Sequence, residues 1–149
     1  MAMTPNLVLV SDRADDRTLV AAALRSAWVI AHAAGLGPAC EALAHAPCDA
    51  VLGAVDAADG SIDALLASVA AQRPGTPVIV VADCMDAEAA VELLHAGASD
   101  VVLRENLPRR LPLALARACA VAAQRKPASP ADELVRTARQ LPSLTDNFT

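Results

Sequence analysis

Aromatic side chains are almost missing from this 149-residue chain, which has one Trp, one Phe and no Tyr. Stacking platforms for single-stranded nucleic acid need several aromatic faces, and Trp28 and Phe148 cannot supply them. Basic charge is also scarce: 12 Lys and Arg stand against 17 Asp and Glu, for a formal net charge of −5. That balance argues against a dedicated binder of nucleic acid or of anionic membrane. No apolar run approaches the roughly 18 residues needed to cross a bilayer. The opening MAMTPN lacks the basic-then-apolar order of a signal peptide. Cys40, Cys48, Cys84 and Cys119 lie far apart with no C-x-x-C, so neither a zinc site nor a redox motif is supported. Free thiols in apolar surroundings behave as small core residues, and a reducing cytoplasm is the expected compartment. No glycine-rich phosphate loop occurs. The one G-x-G, Gly35-Leu36-Gly37, lacks a third glycine and reads as a loop.

What the chain does have is apolar residues, at 55 %, with only 19 % charged. That composition belongs to a folded domain, and the length to one of ordinary size. Leu7–Val10 is a continuous β-compatible run closed by Ser11-Asp12, as expected of a strand buried on both faces. The spacing predicts a helix over 14–27, with Leu19, Ala23 and Ala27 on one face and Val20 and Leu24 beside them. Asp15 and Asp16 fall in its first turn, where they favour the helix dipole. Adjacent helical residues diverge, so they are no acid–base pair. Further strands are expected at 28–32, 49–55, 78–82 and 100–104. Helices are expected from Pro38 to about His45, over 61–72, over 87–96, and from Pro108 to about Gln124. In the fourth helix Val91 and Leu94 are expected inward, with His95 beside them. Asp83 and Asp86 read as its caps, and Gly97 suits the left-handed position after it. His32, His45 and His95 are widely spaced and read as ordinary surface or boundary residues. Strands alternating with helices across short loops imply βαβ units and one doubly wound parallel sheet of five strands, with helices on both faces.

From Lys126 the composition turns polar. Residues 6–125 therefore read as one domain, and 126–149 as a linker or extension to a further domain. Ser129 and Asp132 resemble a capping box, and a short helix is expected over 131–141.

Four stretches carry a resemblance: LVLVSDRADDR, DAVLGAV, TPVIVVA and AGASDVVLRENLPR. The chain resembles the receiver domain of bacterial response regulators over residue 6 to about residue 124. The last stretch looks like the A-G-A-x-D-Y-L-x-K-D-N-L run of one receiver subgroup. The resemblance implies a flavodoxin-like sheet of order 2-1-3-4-5, for which a receiver is a standard example. It also implies a phosphorylation pocket at the carboxyl ends of the strands. There the family places an acidic pair, an Asp acceptor, a Thr or Ser, and a Lys. The acidic pair and the acceptor hold Mg²⁺.

Laid over this sequence, that pattern is largely broken. Ser11 and Asp12 take the acidic pair, Ala54 the acceptor, Ala82 the hydroxyl, Arg104 the Lys and Val101 the switch aromatic. Alanine has no nucleophile, so no aspartyl phosphate forms at Ala54. A lone Asp12 is a poor Mg²⁺ site, and no metal or cofactor is expected. Asp56 is the one alternative acceptor, on the same side of an extended strand but roughly 6–7 Å further along. As a plain residue it is a solvated loop carboxylate. Arg104 reads either as an anion ligand or as an exposed partner of Asp12, a pair worth at most about 1 kcal/mol.

The expected function is a degenerate receiver, not an enzyme. It would serve signalling as a phosphorylation-independent interaction or dimerisation module. The expected contact face is helix four, strand five and helix five, with Arg104, Glu105, Arg109, Arg110 and Arg117 concentrating basic charge there. The partner is a protein or a second copy. Two alternatives stay open: phosphorylation at Asp56, or a small ligand in the vacated pocket.

Overall fold

The structure, a computed structural model, describes residues 4–25, 27–55 and 62–125. Asp56, Ser129, Asp132 and the helix expected over 131–141 lie outside the described residues. Five strands, β1 (Asn6–Val10), β2 (Val29–Ala33), β3 (Ala50–Ala54), β4 (Val78–Ala82) and β5 (Asp100–Leu103), form one parallel sheet. Its order is β2-β1-β3-β4-β5, as the resemblance implied. The helices are α1 (Ala14–Leu24), α2 (Leu36–His45), α3 (Ile62–Gln72), α4 (Ala87–His95) and α5 (Leu107–Arg125), with a 3₁₀ turn over Arg104–Asn106.

Side chains alternate across each strand, so the sheet carries two cores. Leu7, Leu9, Leu52, Ile79, Val81 and Val102 pack under α1 and α5 with Val20, Leu24, Leu111 and Leu115. Val8, Val10, Val51, Val78 and Val80 pack under α2, α3 and α4 with Leu43, Leu65, Val69 and Leu93. Burial on both faces is why these strands read as unbroken apolar runs. Gly53 lets α3 approach β3: a Cβ there would meet Leu65 Cδ2 at 2.6 Å and Ile62 Cδ1 at 3.2 Å. Gly53→Val is expected to cost about 1–3 kcal/mol by overpacking. A denaturation midpoint unchanged from the parent would contradict this.

Several boundaries and faces differ from expectation. The first helix stops at Leu24, because Arg25 takes φ 55° and its N–H closes on the Ala21 carbonyl at 2.8 Å. Its most buried residues are Asp16, Val20 and Leu24, with Leu19 and Ala23 packed beside them, so the expected face holds and Asp16 is added to it. In α4 the inward residue is Leu93, while Val91 and Leu94 are 47 % and 44 % exposed and His95 is exposed. Leu93 shares a helical face with the half-buried Ala89 and Ala90, four and three positions before it, and that face is the packed one. Gly97 takes φ 121°, and the Ala98 N–H returns to the Leu93 carbonyl at 3.0 Å, ending the helix. Asp86 alone caps α4, accepting the Ala89 N–H at 2.8 Å. Arg73 closes α2 from α3's end, donating to the Leu43 and Ala46 carbonyls at 2.9 and 2.6 Å.

Candidate functional site

The carboxyl ends of β1, β3, β4 and β5 converge, as an open parallel sheet requires of its ligand crevice. Ser11 follows β1 and is fully buried; Ala54 ends β3 and Ala82 ends β4, each 4 % exposed. Two methyl groups thus stand where the resemblance asks for a nucleophile and a hydroxyl. Val101 is half-buried on β5. Asp12 is exposed.

Among the described residues, charged side chains cross the remaining space. Asp16 is 3 % exposed, drawn inward because it shares a helical face with Val20 and Leu24. The Arg104 side chain, leaving the end of β5, reaches across and donates from Nε and Nη2 to both Asp16 oxygens, at 2.7 and 2.8 Å. Its Nη1 donates to Asp83 Oδ1 at 2.8 Å. Arg13 Nη2 donates to the other Asp83 oxygen at 3.1 Å. The Ser11 hydroxyl donates to Asp16 Oδ2 at 2.5 Å and accepts the Arg13 N–H at 3.1 Å. His32 Nε2 meets the Ser11 carbonyl at 2.7 Å. Among the described residues no buried side-chain polar atom is left without a partner.

This corrects the expectation of an open, exposed Arg104. The guanidinium is forked onto Asp16, with side-chain exposures of only 9 % and 4 %. Asp83, expected as a cap, instead bonds both arginines. Burial by itself would raise the Asp16 carboxyl. The Arg104 hydrogen bonds, and then the Ser11 hydroxyl, outweigh it and hold that carboxyl below the ordinary range. The Asp83 carboxyl is also held low, first by its hydrogen bond from Arg104. Asp16 is the site residue that the sequence reading missed. Its signal was the i, i+4, i+8 spacing of Asp16, Val20 and Leu24.

Among the described residues the donor set does not suit Mg²⁺. Ser11 gives its hydroxyl proton to Asp16, Ala54 offers a methyl group, and the Asp16 oxygens are taken by Arg104. Among the described residues no group of three or more His, Cys, Asp or Glu could hold a metal ion.

The second expected surface is on the far side of β5. Leu94, Gly97, Asp100, Ala114, Arg117 and Val121 line a groove of about 520 Å³ between α4 and α5. Arg110 lies on the same stripe of α5 as Ala114, Arg117 and Val121; it is exposed, as are Glu105, Arg109 and Arg117. Arg109 donates to Asn106 Oδ1 at 2.9 Å. Arg104, expected on this surface too, has its guanidinium in the network with Asp16 instead. Among the described residues no helix is long and apolar enough to cross a membrane.

These features define the class: the chain has the fold of a response-regulator receiver domain. No family model matches it, and no curated protein matches its sequence. The solved structures do match. A CheY-like response regulator receiver domain protein from Methanospirillum hungatei JF-1 superimposes with a TM-score of 0.74 at 19 % identity, covering 83 % of this chain and 100 % of that one. The signal receiver domain of an HD domain-containing protein from Pseudomonas fluorescens Pf-5 gives 0.74 at 20 %, covering 84 % and 93 %. NtrX from Brucella abortus gives 0.74 at 24 %, covering 91 % of this chain and 34 % of that one.

Proposed function

We propose that this domain is a receiver that acts in signal transduction without being phosphorylated, as a docking module for another protein. The observation that carries the reading is the state of the pocket. The acceptor position is a buried methyl group, Ala54, and the cation that would face a phosphoryl group, Arg104, is forked onto a carboxylate of its own chain. A pocket whose arginine is already held by carboxylates of its own chain has no need of phosphate to bring the ends of β1, β4 and β5 together. Population shift needs a ligand that distinguishes two states, and this pocket offers phosphate no differential contact.

The docking face is the α4–β5–α5 side. Val91, Leu94 and Val121 are exposed there, beside Arg110 and Arg117. A partner presenting apolar side chains framed by carboxylates complements that surface, with opposite charge steering the encounter. Without Trp or Tyr anchors, affinity is expected to be modest. The domain is not expected to be an enzyme.

Acetyl phosphate with Mg²⁺, or a beryllofluoride mimic, is expected to leave the mass and the amide spectrum unchanged. A gain of one phosphoryl group mapped to Asp56 would replace this reading with the alternative acceptor. A rise in melting temperature with a small metabolite at the pocket would favour ligand sensing. Reversing Arg110 and Arg117 to Glu should weaken partner docking while leaving stability nearly unchanged; unaltered docking would move the surface elsewhere.

A further inference from the structure

The two edges of the sheet are built differently. The β5 edge has four residues and opens with a carboxylate, and Asp100 Oδ1 accepts the N–H of Val101 at 2.8 Å. Charge on a short edge strand blocks the addition of another strand. The β2 edge has no such defence. Val29–Ala33 reads VIAHA, with no proline, no acidic residue, no Lys or Arg, and an unbroken register against β1. Val29 is 53 % exposed, and Ala31 and His32 are exposed as well.

The backbone shows which groups are open. In a parallel ladder, alternate residues turn both N–H and C=O toward the same neighbour. The Val29 N–H goes to the Pro5 carbonyl at 2.9 Å, and the Ala33 carbonyl takes the Ser11 N–H at 2.9 Å. Val29, Ala31 and Ala33 therefore face β1, and Ile30 and His32 face outward. Among the described residues no strand lies beyond them. A row of outward donors and acceptors asks for another strand, not merely for apolar cover.

We propose that β2 is a homodimer edge, on which a second copy of this chain lays its own β2 antiparallel about a two-fold axis at Ala31. The strand is its own complement in this register. Ile30 stands opposite the partner subunit's His32, and His32 opposite the partner subunit's Ile30. Both are hydrogen-bonded pairs, so every outward backbone group of the two residues is used. Ala31 meets its own copy at a non-hydrogen-bonded position, the close one at about 4.5 Å between Cα atoms, where a small side chain fits best. The chain carries a net charge of −5, so two copies repel over most of their surface. The β2 strand itself adds no acidic side chain to that repulsion. The pairing is isologous and closes at two. It leaves the α4–β5–α5 face free, so it stands or falls independently of the docking proposed above.

The test uses the full chain in a Cys84→Ser background, because Cys84 is exposed. Ala31→Cys places two thiols across the axis, inside the Cα separation of about 4.4–6.8 Å that a disulfide spans. It is expected to give a covalent dimer under mild oxidation. Val29→Cys, equally exposed but opposite Ala33, is expected to cross-link roughly tenfold more slowly, since the two thiols are not cross-strand partners. By sedimentation the parent chain should be dimeric at high micromolar concentration. Ala31→Lys should be monomeric with an unchanged circular dichroism spectrum. A parent chain that stays monomeric would overturn the proposal. So would a dimer that survives Ala31→Lys, or equal cross-linking at positions 29 and 31.

Discussion

Arg104→Ala is expected to destabilise the domain by about 3–5 kcal/mol, the usual cost of removing one partner from a buried ion pair. The reason is what remains. Asp16, 3 % exposed in the parent, keeps only the Ser11 hydroxyl of these side-chain donors. A carboxylate so placed has lost both water and its counter-charge. The loss should be non-additive. Asp16→Leu with Arg104→Met, and Ser11→Ala because that hydroxyl loses its acceptor, should recover most of the stability. Apolar replacement of a whole buried pair is often neutral or better. Chemical denaturation of the single, double and triple variants measures this. A cost for Arg104→Ala below about 1 kcal/mol would mean that the pair behaves as a surface pair.

Acid should unfold the domain through the same carboxylate. In the folded protein, Asp16 and Asp83 bind protons less readily than ordinary carboxylates. The unfolded chain titrates near the reference value of about 3.9. The unfolded state therefore takes up protons first as pH falls. Stability is full above that value and is lost as pH drops through it toward the depressed folded values. The denaturation midpoint should hold between neutral pH and about 5, then fall steeply below about 4. Asp16→Asn should start lower and show a shallower fall. Equal slopes for the two proteins would remove Asp16 from the account.

The sheet was legible from the sequence because a strand buried on both faces must be apolar at every position. Leu7–Val10 and Val78–Ala82 leave no other reading. Helix faces were less legible. In α1, Leu19, Val20, Ala23 and Leu24 were read on the packed face and do pack there; the residue missed on that face was a carboxylate. Asp16 was read by its place in the first turn, where acidic residues are ordinary, rather than by its spacing from Val20 and Leu24. Its bond to Arg104 was missed for that reason. In α4 the packed face is Ala89, Ala90 and Leu93, where small alanines give a weak signal, and the larger Val91 and Leu94 marked the wrong stripe.

The bond between Arg104 and Asp16 also bears on time. A phosphoryl group on a receiver has a lifetime; it is added, it hydrolyses, and the signal decays with it. A carboxylate carried on α1 is present from the moment the chain folds and persists until the chain is degraded. If the domain acts as proposed, without phosphate, what varies is the number of copies and, through mass action, the fraction of them bound to a partner. For such a domain, synthesis and proteolysis become the dial. Any substitution that loosens the clamp is then felt as lower abundance, with no change in activity per molecule.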